Sequence, residues 1–349
     1  MKQSGNKSET KSVLFIIGNG FDLGLNMKTS YEDVYNKYIV TPSKSIVISK
    51  FKNELSKRKP YDKWSDFEMG MAEYAETLEL EDELIECVRD FRGCMVNHLQ
   101  GEFDKINELC KDDGYANRLI NEFNNSLESF YGGLTQNVQK QLKSIINDDF
   151  PEYNFITFNY TKTLEAVMGV VYRKNNVTMN LPLHIHGSLD NDVVLGIDNL
   201  EQIKKAKFQL SKKGKRAFVK TFFNEQYDYD RVLRAKELIS KSSVICTYGF
   251  SMGESDKTWV DLMKNWLLED TNHHLIVYQY DETKYERYHF DEMMDVEDEK
   301  KVLLLKHLGI EDEIILEQIH IPISYDIFNF KFIKTVGARI GYDISHIHK

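Results

Sequence analysis

The chain has 349 residues, 42% of them hydrophobic and 12% aromatic, which suffices for a large core and excludes global disorder. A formal net charge of −10 opposes non-specific binding to duplex nucleic acid, although it leaves room for a local basic groove. The 5 prolines argue against long rigid linkers, and no apolar run approaches the roughly 20 residues that a membrane span requires.

In chain order, residues 1–12 are polar and lack the apolar stretch of a signal peptide, so they read as a disordered tail on a cytoplasmic protein. Val13 to Ile17 is an apolar first strand that stops at Gly18-Asn19-Gly20. A helix over 31–39 follows a Thr29-Ser30 cap, with Asp33 three residues beyond Ser30. From about Asn53 to Asp148 the periodicity is helical, broken at Gly132-Gly133. Strand character returns at Asn154 to Phe158 and at Leu183 to Ile185, and Val193 to Leu195 is a short apolar piece ending at Gly196. Residues 201–238 read as mostly helical, basic first and acidic later. Ser243 to Tyr248 is a strand, Ser255 to Leu267 an amphipathic helix, and His274 to Tyr278 a further strand. A charged helical run near Asp281 to Lys306 and a strand at Glu313 to Leu316 complete the pattern.

Strands separated by helices predict an α/β fold, a Rossmann-like doubly wound parallel sheet with large helical insertions. The core is expected over 13–50 and 150–349, with a helical insertion at 51–149 and a smaller basic one at 201–238. Cys87, Cys94, Cys110 and Cys246 form no Cys-x-x-Cys pair, which argues against a structural zinc site and fits a reducing interior.

Four strand ends carry the polar chemistry. Gly18, Asn19 and Gly20 open a turn where glycines let a backbone approach an anion, and Asp22 stands where it can cap a helix or meet a ribose hydroxyl. Thr157 and Asn159 end the second strand; Asn159 offers a donor and an acceptor, or with Thr161 a helix cap. His184 and His186, two apart on a strand, point the same way and suit a metal pair, or a general base beside a packed histidine. Gly249 and Ser251 lie in Gly-x-Ser-x-Gly lettering, formally a nucleophile elbow, while Ser255 and Asp256 more simply start the next helix. Asp66 and Glu68 are a lesser carboxylate pair. The basic stretch 204–216 is a solvated face or a phosphate clamp, and Lys220 beyond it is placed to reach a phosphate from a lid.

GNGFDLGLNMKTSYEDVY from Gly18, WSDFE at 64–68, FNYTKTLE at 158–165, HIHGSL at 184–189 and YGFSMGESDKTW at 248–259 together resemble the bacterial AbiH family, named for abortive infection of phage. The same pieces are more distantly similar to sirtuin-like defence domains that bind and often hydrolyse NAD. That resemblance implies NAD as ligand or substrate, without a metal, and a sirtuin-related core. It implies His186 as general base and Asn159 as the group orienting ribose or water. Gly18, Asn19 and Gly20 would carry the diphosphate, with Asp22, Thr157, Gly249 and Ser251 lining the pocket. Thr161 stands where the wider group commonly has aspartate, and Phe21 replaces a small residue. Hydrolysis of NAD to nicotinamide and ADP-ribose is therefore the leading expectation. A nucleotide sensor or scaffold without chemistry, and a metal-dependent nuclease or phosphohydrolase using His184, His186 and Asp22 with Asp66 or Glu68, are the alternatives. A phage-derived trigger and a homo-oligomer are the expected partners; nucleic acid is not favoured.

Overall fold

The computed structural model describes residues 12–57, 64–146, 152–175, 180–279, 288–323 and 325–330. The N-terminal tail expected at 1–12 thus lies, up to residue 11, outside the described residues. Among the described residues six strands form one parallel sheet: β1 (Ser12–Ile17), β2 (Glu152–Thr157), β3 (Leu183–His184), β4 (Ser242–Tyr248), β5 (His274–Tyr278) and β6 (Ile319–His320). Their order is β3-β2-β1-β4-β5-β6, the Rossmann-like arrangement in which the winding reverses between β1 and β4. In register, Ile17 at the end of β1 lies between Thr157 on β2 and Tyr248 on β4.

β1 is buried along its whole length, as a central parallel strand must be. Alternate side chains feed two cores: Val13, Phe15 and Ile17 on one face, Leu14 and Ile16 on the other. The first face is covered by α6 (Asp113–Glu128), α7 (Gln136–Ile146) and α8 (Thr163–Asn175), with Phe328 and Phe330 packed among their aromatic residues. The second is covered by α11 (Tyr229–Lys241), α12 (Lys257–Glu269) and α13 (Phe290–Leu308). α12 presents Trp259, Met263 and Trp266 inward, the apolar face anticipated for it.

A third core stands beside the sheet. It joins α2 (Tyr31–Val40), α3 (Ile46–Lys57), α4 (Trp64–Ala75) and the 29-residue α5 (Glu81–Leu109) to Val193, Leu195, Ile197 and Phe218. Phe218 ends α9 (Lys212–Phe218), which is followed by α10 (Lys220–Tyr227). The helices between 51 and 149 therefore divide: α4 and most of α5 serve the separate core, whereas α6 and α7 cover the sheet. The expected cap at Ser30 is present, its hydroxyl accepting from Asp33 N while Asp33 Oδ2 accepts from Ser30 N, each at 3.1 Å.

The strand expected at Glu313 to Leu316 is instead a 3-10 helix over Glu313–Gln318, and β6 begins only at Ile319. Asp312 accepts from Ile314 N at 3.0 Å and turns the chain there, which leaves Ile314 exposed while Ile315 and Gln318 are buried. Among the described residues no helix is long and apolar enough to cross a membrane.

Candidate functional site

The C-terminal ends of β1, β2, β3 and β4 meet beside the reversal point of the sheet. There the turns after β1 and β4 close on one another. Gly18 N donates to Tyr248 O at 2.9 Å and Gly20 N to Gly249 O at 3.2 Å. A Cβ on Gly20 would stand 2.4 Å from Gly249 Cα, and Gly249 itself has φ +61°. These glycines are required by backbone-to-backbone packing. Phe21 N is turned back onto Gly18 O, and the Asn19 amide is occupied at both ends by Thr29. Of the donors expected to meet a diphosphate, the Gly18 and Gly20 amides are engaged by the β4 turn, and one N–H of the Asn19 side chain is given to Thr29 O.

Asp22, on the short helix α1 (Gly20–Gly24), is 1% exposed. Burial pushes its carboxyl up to about 6, against the lowering effect of the Thr161, Thr163 and Asn159 side chains. Thr161, expected as a helix cap, gives its hydroxyl to Asp22 instead, at 2.5 Å. Thr157 Oγ1 accepts from Asn159 N at 3.1 Å, which fixes the backbone as it leaves β2. The Asn159 side chain is buried, and its Oδ1 has no hydrogen-bond partner among the described residues.

His184 and His186 do not act as a pair. His184 sits between Asn159 O, 2.9 Å from Nδ1, and Glu165 Oε1, 2.6 Å from Nε2. Beyond the end of β3 the chain turns at Gly187, whose φ is +78° and where a Cβ would meet Asp192 O. The His186 ring faces another way: its Nε2 lies 2.7 Å from Asp256 Oδ1. An ionised Asp256 can only accept, so Nε2 carries the proton and Nδ1 keeps its lone pair. Nδ1 is buried and has no partner among the described residues. Burial, together with the charge of Lys220, pushes His186 down to about 4, so the ring is neutral at pH 7.

Asp256 is thus more than a helix start. It makes no side-chain cap to α12; its Oδ1 accepts from both His186 and Lys220, the latter at 3.1 Å. Lys220 is 3% exposed and also reaches Glu68 Oε2 at 2.7 Å and Ser255 O at 3.2 Å. Burial opposes the charge on Lys220, but Asp256 and Glu68 outweigh it and hold the ammonium protonated. Burial likewise opposes the charge on Asp256, but Lys220 and His186 keep it below the usual carboxylate range. Burial raises Glu68, whose other oxygen accepts from Gly196 N at 3.0 Å.

Of the residues singled out in the sequence, Asn159, Asp22, Thr157 and His186 are buried at these strand ends. Ser251 is exposed, whereas His186 takes Asp256 as its partner. Asp66 is exposed whereas Glu68 is buried. The basic stretch 204–216 lies on the acidic approach to α5: Lys207 pairs with Glu79, Lys213 with Asp82, and the Lys204 and Lys205 amides with Glu76. Lys220 points inward, not from a lid. Sequence reasoning passed over Asp256 as a helix start; the signal for Lys220 was a lone cation in the aromatic run Phe218 to Phe223. Among the described residues no group of three or more His, Cys, Asp and Glu is arranged to hold a metal ion.

Strand order and polar strand ends define a Rossmann-like α/β protein with the generic capacity of that fold for nucleotides. The family model for bacteriophage abortive infection AbiH matches residues 14–278, and the chain belongs to that family. Membership carries a general role in abortive infection, a defence against phage. A comparison with curated proteins returns no match.

Proposed function

We propose that the chain acts in the cytoplasm as a nucleotide-directed hydrolase of phage defence, with NAD as its substrate. The observation that carries this reading is the buried His186–Asp256 pair, whose free Nδ1 is a base with its tautomer already set. The unpartnered Oδ1 of Asn159 is a second buried acceptor suited to a water or ribose hydroxyl. Likeness of the strand-end motifs to sirtuin-like NAD-hydrolysing domains supports the choice of NAD. In that wider group an aspartate is common at the position of Thr161; here the carboxyl near that place is Asp22, held by Thr161.

Hydrolysis would break the bond between nicotinamide nitrogen and ribose C1′ and form a C1′–oxygen bond from water. Nicotinamide leaves neutral, ADP-ribose is the other product, and the proton of water passes to His186 Nδ1. Asp256 then faces an imidazolium and stabilises it. Asn159 Oδ1 orients the water or a ribose hydroxyl. The diphosphate falls to donors other than the Gly18 and Gly20 amides.

The test is NAD loss and nicotinamide release by the purified chain, with and without phage lysate, beside His186→Ala and Asn159→Ala. Turnover that disappears in both variants is expected. Intact NAD in every condition, with folded protein, overturns hydrolysis. Saturable NAD or ADP-ribose binding without turnover would then favour a sensor, a reading to which the closed glycine turns lend support.

A further inference from the structure

The titratable groups of this buried cluster come from four separate parts of the chain. Glu68 lies on α4, His186 in the turn after β3, Lys220 at the start of α10, and Asp256 ahead of α12. Glu68 and Lys220 are 2% and 3% exposed. One oxygen, Asp256 Oδ1, receives both the His186 ring and the Lys220 ammonium. A buried lysine held only for stability is a poor device, because desolvating the ions offsets most of the Coulombic gain.

We propose that Lys220 is a positioning residue of this site: anchored by Glu68, it holds the shared oxygen of Asp256 so that His186 stays neutral, protonated on Nε2 and free on Nδ1. The inference rests on the reading of His186 as proton acceptor. The charged groups facing the ring are Asp256 from the turn before α12, Lys220 from α10 and Arg231 from α11, whose guanidinium reaches Ile185 O. Behind them stand Glu68 on α4 and Asp198, which faces Lys220 and Asp256 and accepts from Thr258. Lys220 and Arg231 disfavour the imidazolium, whereas Asp256 favours it. Removing the lysine and removing the carboxylate must therefore move the ring in opposite directions, which loss of packing alone would not do.

The experiment is ¹⁵N-histidine NMR of the full chain across pH, for the native protein, Lys220→Met and Asp256→Asn. The native His186 ring is expected as the Nε2–H tautomer at pH 7. Lys220→Met is expected to raise its titration midpoint by about one pH unit or more. Asp256→Asn is expected to lower the midpoint or shift the ring to Nδ1–H. An Nδ1–H tautomer in the native chain, or shifts in the same direction in both variants, overturns the proposal. Should Lys220→Met fail to fold, Lys220→Gln, which keeps a donor for Glu68 and Asp256 but not the charge, is read in its place, and a midpoint unchanged or lowered in it overturns the proposal. These readouts need no NAD turnover, so failure of the hydrolase reading and failure of the Lys220 assignment are distinguishable.

Discussion

The Thr161 hydroxyl donates to Asp22 Oδ2 at 2.5 Å, joining the end of β2 to the turn after β1 with both side chains almost wholly buried. The carboxyl of Asp22 is pushed up to about 6 from an ordinary 3.8. The fold thus prefers it protonated, and at pH 7 its charge destabilises the native state. That cost disappears as pH falls through 6 towards 3.8. Asp22→Asn keeps an acceptor for Thr161 and is expected to raise stability at pH 7.5 by about 2–3 kcal/mol. Urea denaturation measures it; a less stable variant at that pH would show that the ionised form is the one the fold holds.

The histidines work with the opposite sign. His186 and His274 are pushed down to about 4 and His320 to about 3, in each case chiefly by burial. Each is neutral in the fold and protonates near 6.5 when unfolded. Their contribution is complete above 6.5 and is lost as pH falls from there towards 4, at up to roughly 1.4 kcal/mol per pH unit for each ring. Unfolding midpoints between pH 7.5 and 5 should fall accordingly. A flat profile would mean that the rings accept protons without opening the fold.

Asp256→Asn is expected to lower NAD turnover by about 10²- to 10⁴-fold with little change in KM, because the amide sets the wrong His186 tautomer without emptying the pocket. Steady-state kinetics separate the two effects. A rise in KM at unchanged kcat would assign Asp256 to substrate binding.

Gly249→Ala places a Cβ 2.3 Å from Gly20 Cα at a φ of +61°. Backbone meets backbone there, so no side chain can yield. A loss of at least about 2 kcal/mol is expected from thermal unfolding. A variant with native stability would show that the β1 and β4 turns separate readily, reopening the glycine amides to an anion.

Lys213→Glu breaks an exposed pair with Asp82 and is expected to cost under about 1 kcal/mol. Because the stretch 204–216 already leans on Glu76, Glu79 and Asp82, retention of duplex DNA should be weak in the native chain and unchanged in the variant. A large, salt-sensitive drop in DNA retention would restore a nucleic-acid role to this face.

Much of the sheet was legible because its signals are local. Val13 to Ile17 is apolar at every position, and His274 to Tyr278 is bounded by polar turns. The cap at Ser30 is likewise a three-residue affair. Glu313 to Leu316 misled because the same apolar letters suit a strand or a short helix, and Asp312 chose between them through one hydrogen bond. The pairing of His184 with His186 misled for a related reason. Strand periodicity predicts a shared face only while the strand lasts, and β3 ends at His184.

The sequence by itself determined the parallel α/β fold, the polar residues at the strand ends, and the resemblance to the AbiH family, since apolar runs, helix periods and motif letters are written in neighbouring positions. Only the tertiary structure decided what those residues do to one another. Glu68, His186, Lys220 and Asp256 are far apart in the chain, and their charges acquire meaning only when folding buries them within hydrogen-bond reach. There a missing solvent shell and a shared carboxylate oxygen fix which atom carries the proton. The glycines at 18, 20 and 249 follow the same rule: their letters suggest room for a ligand, and packing shows that each makes room for the other turn.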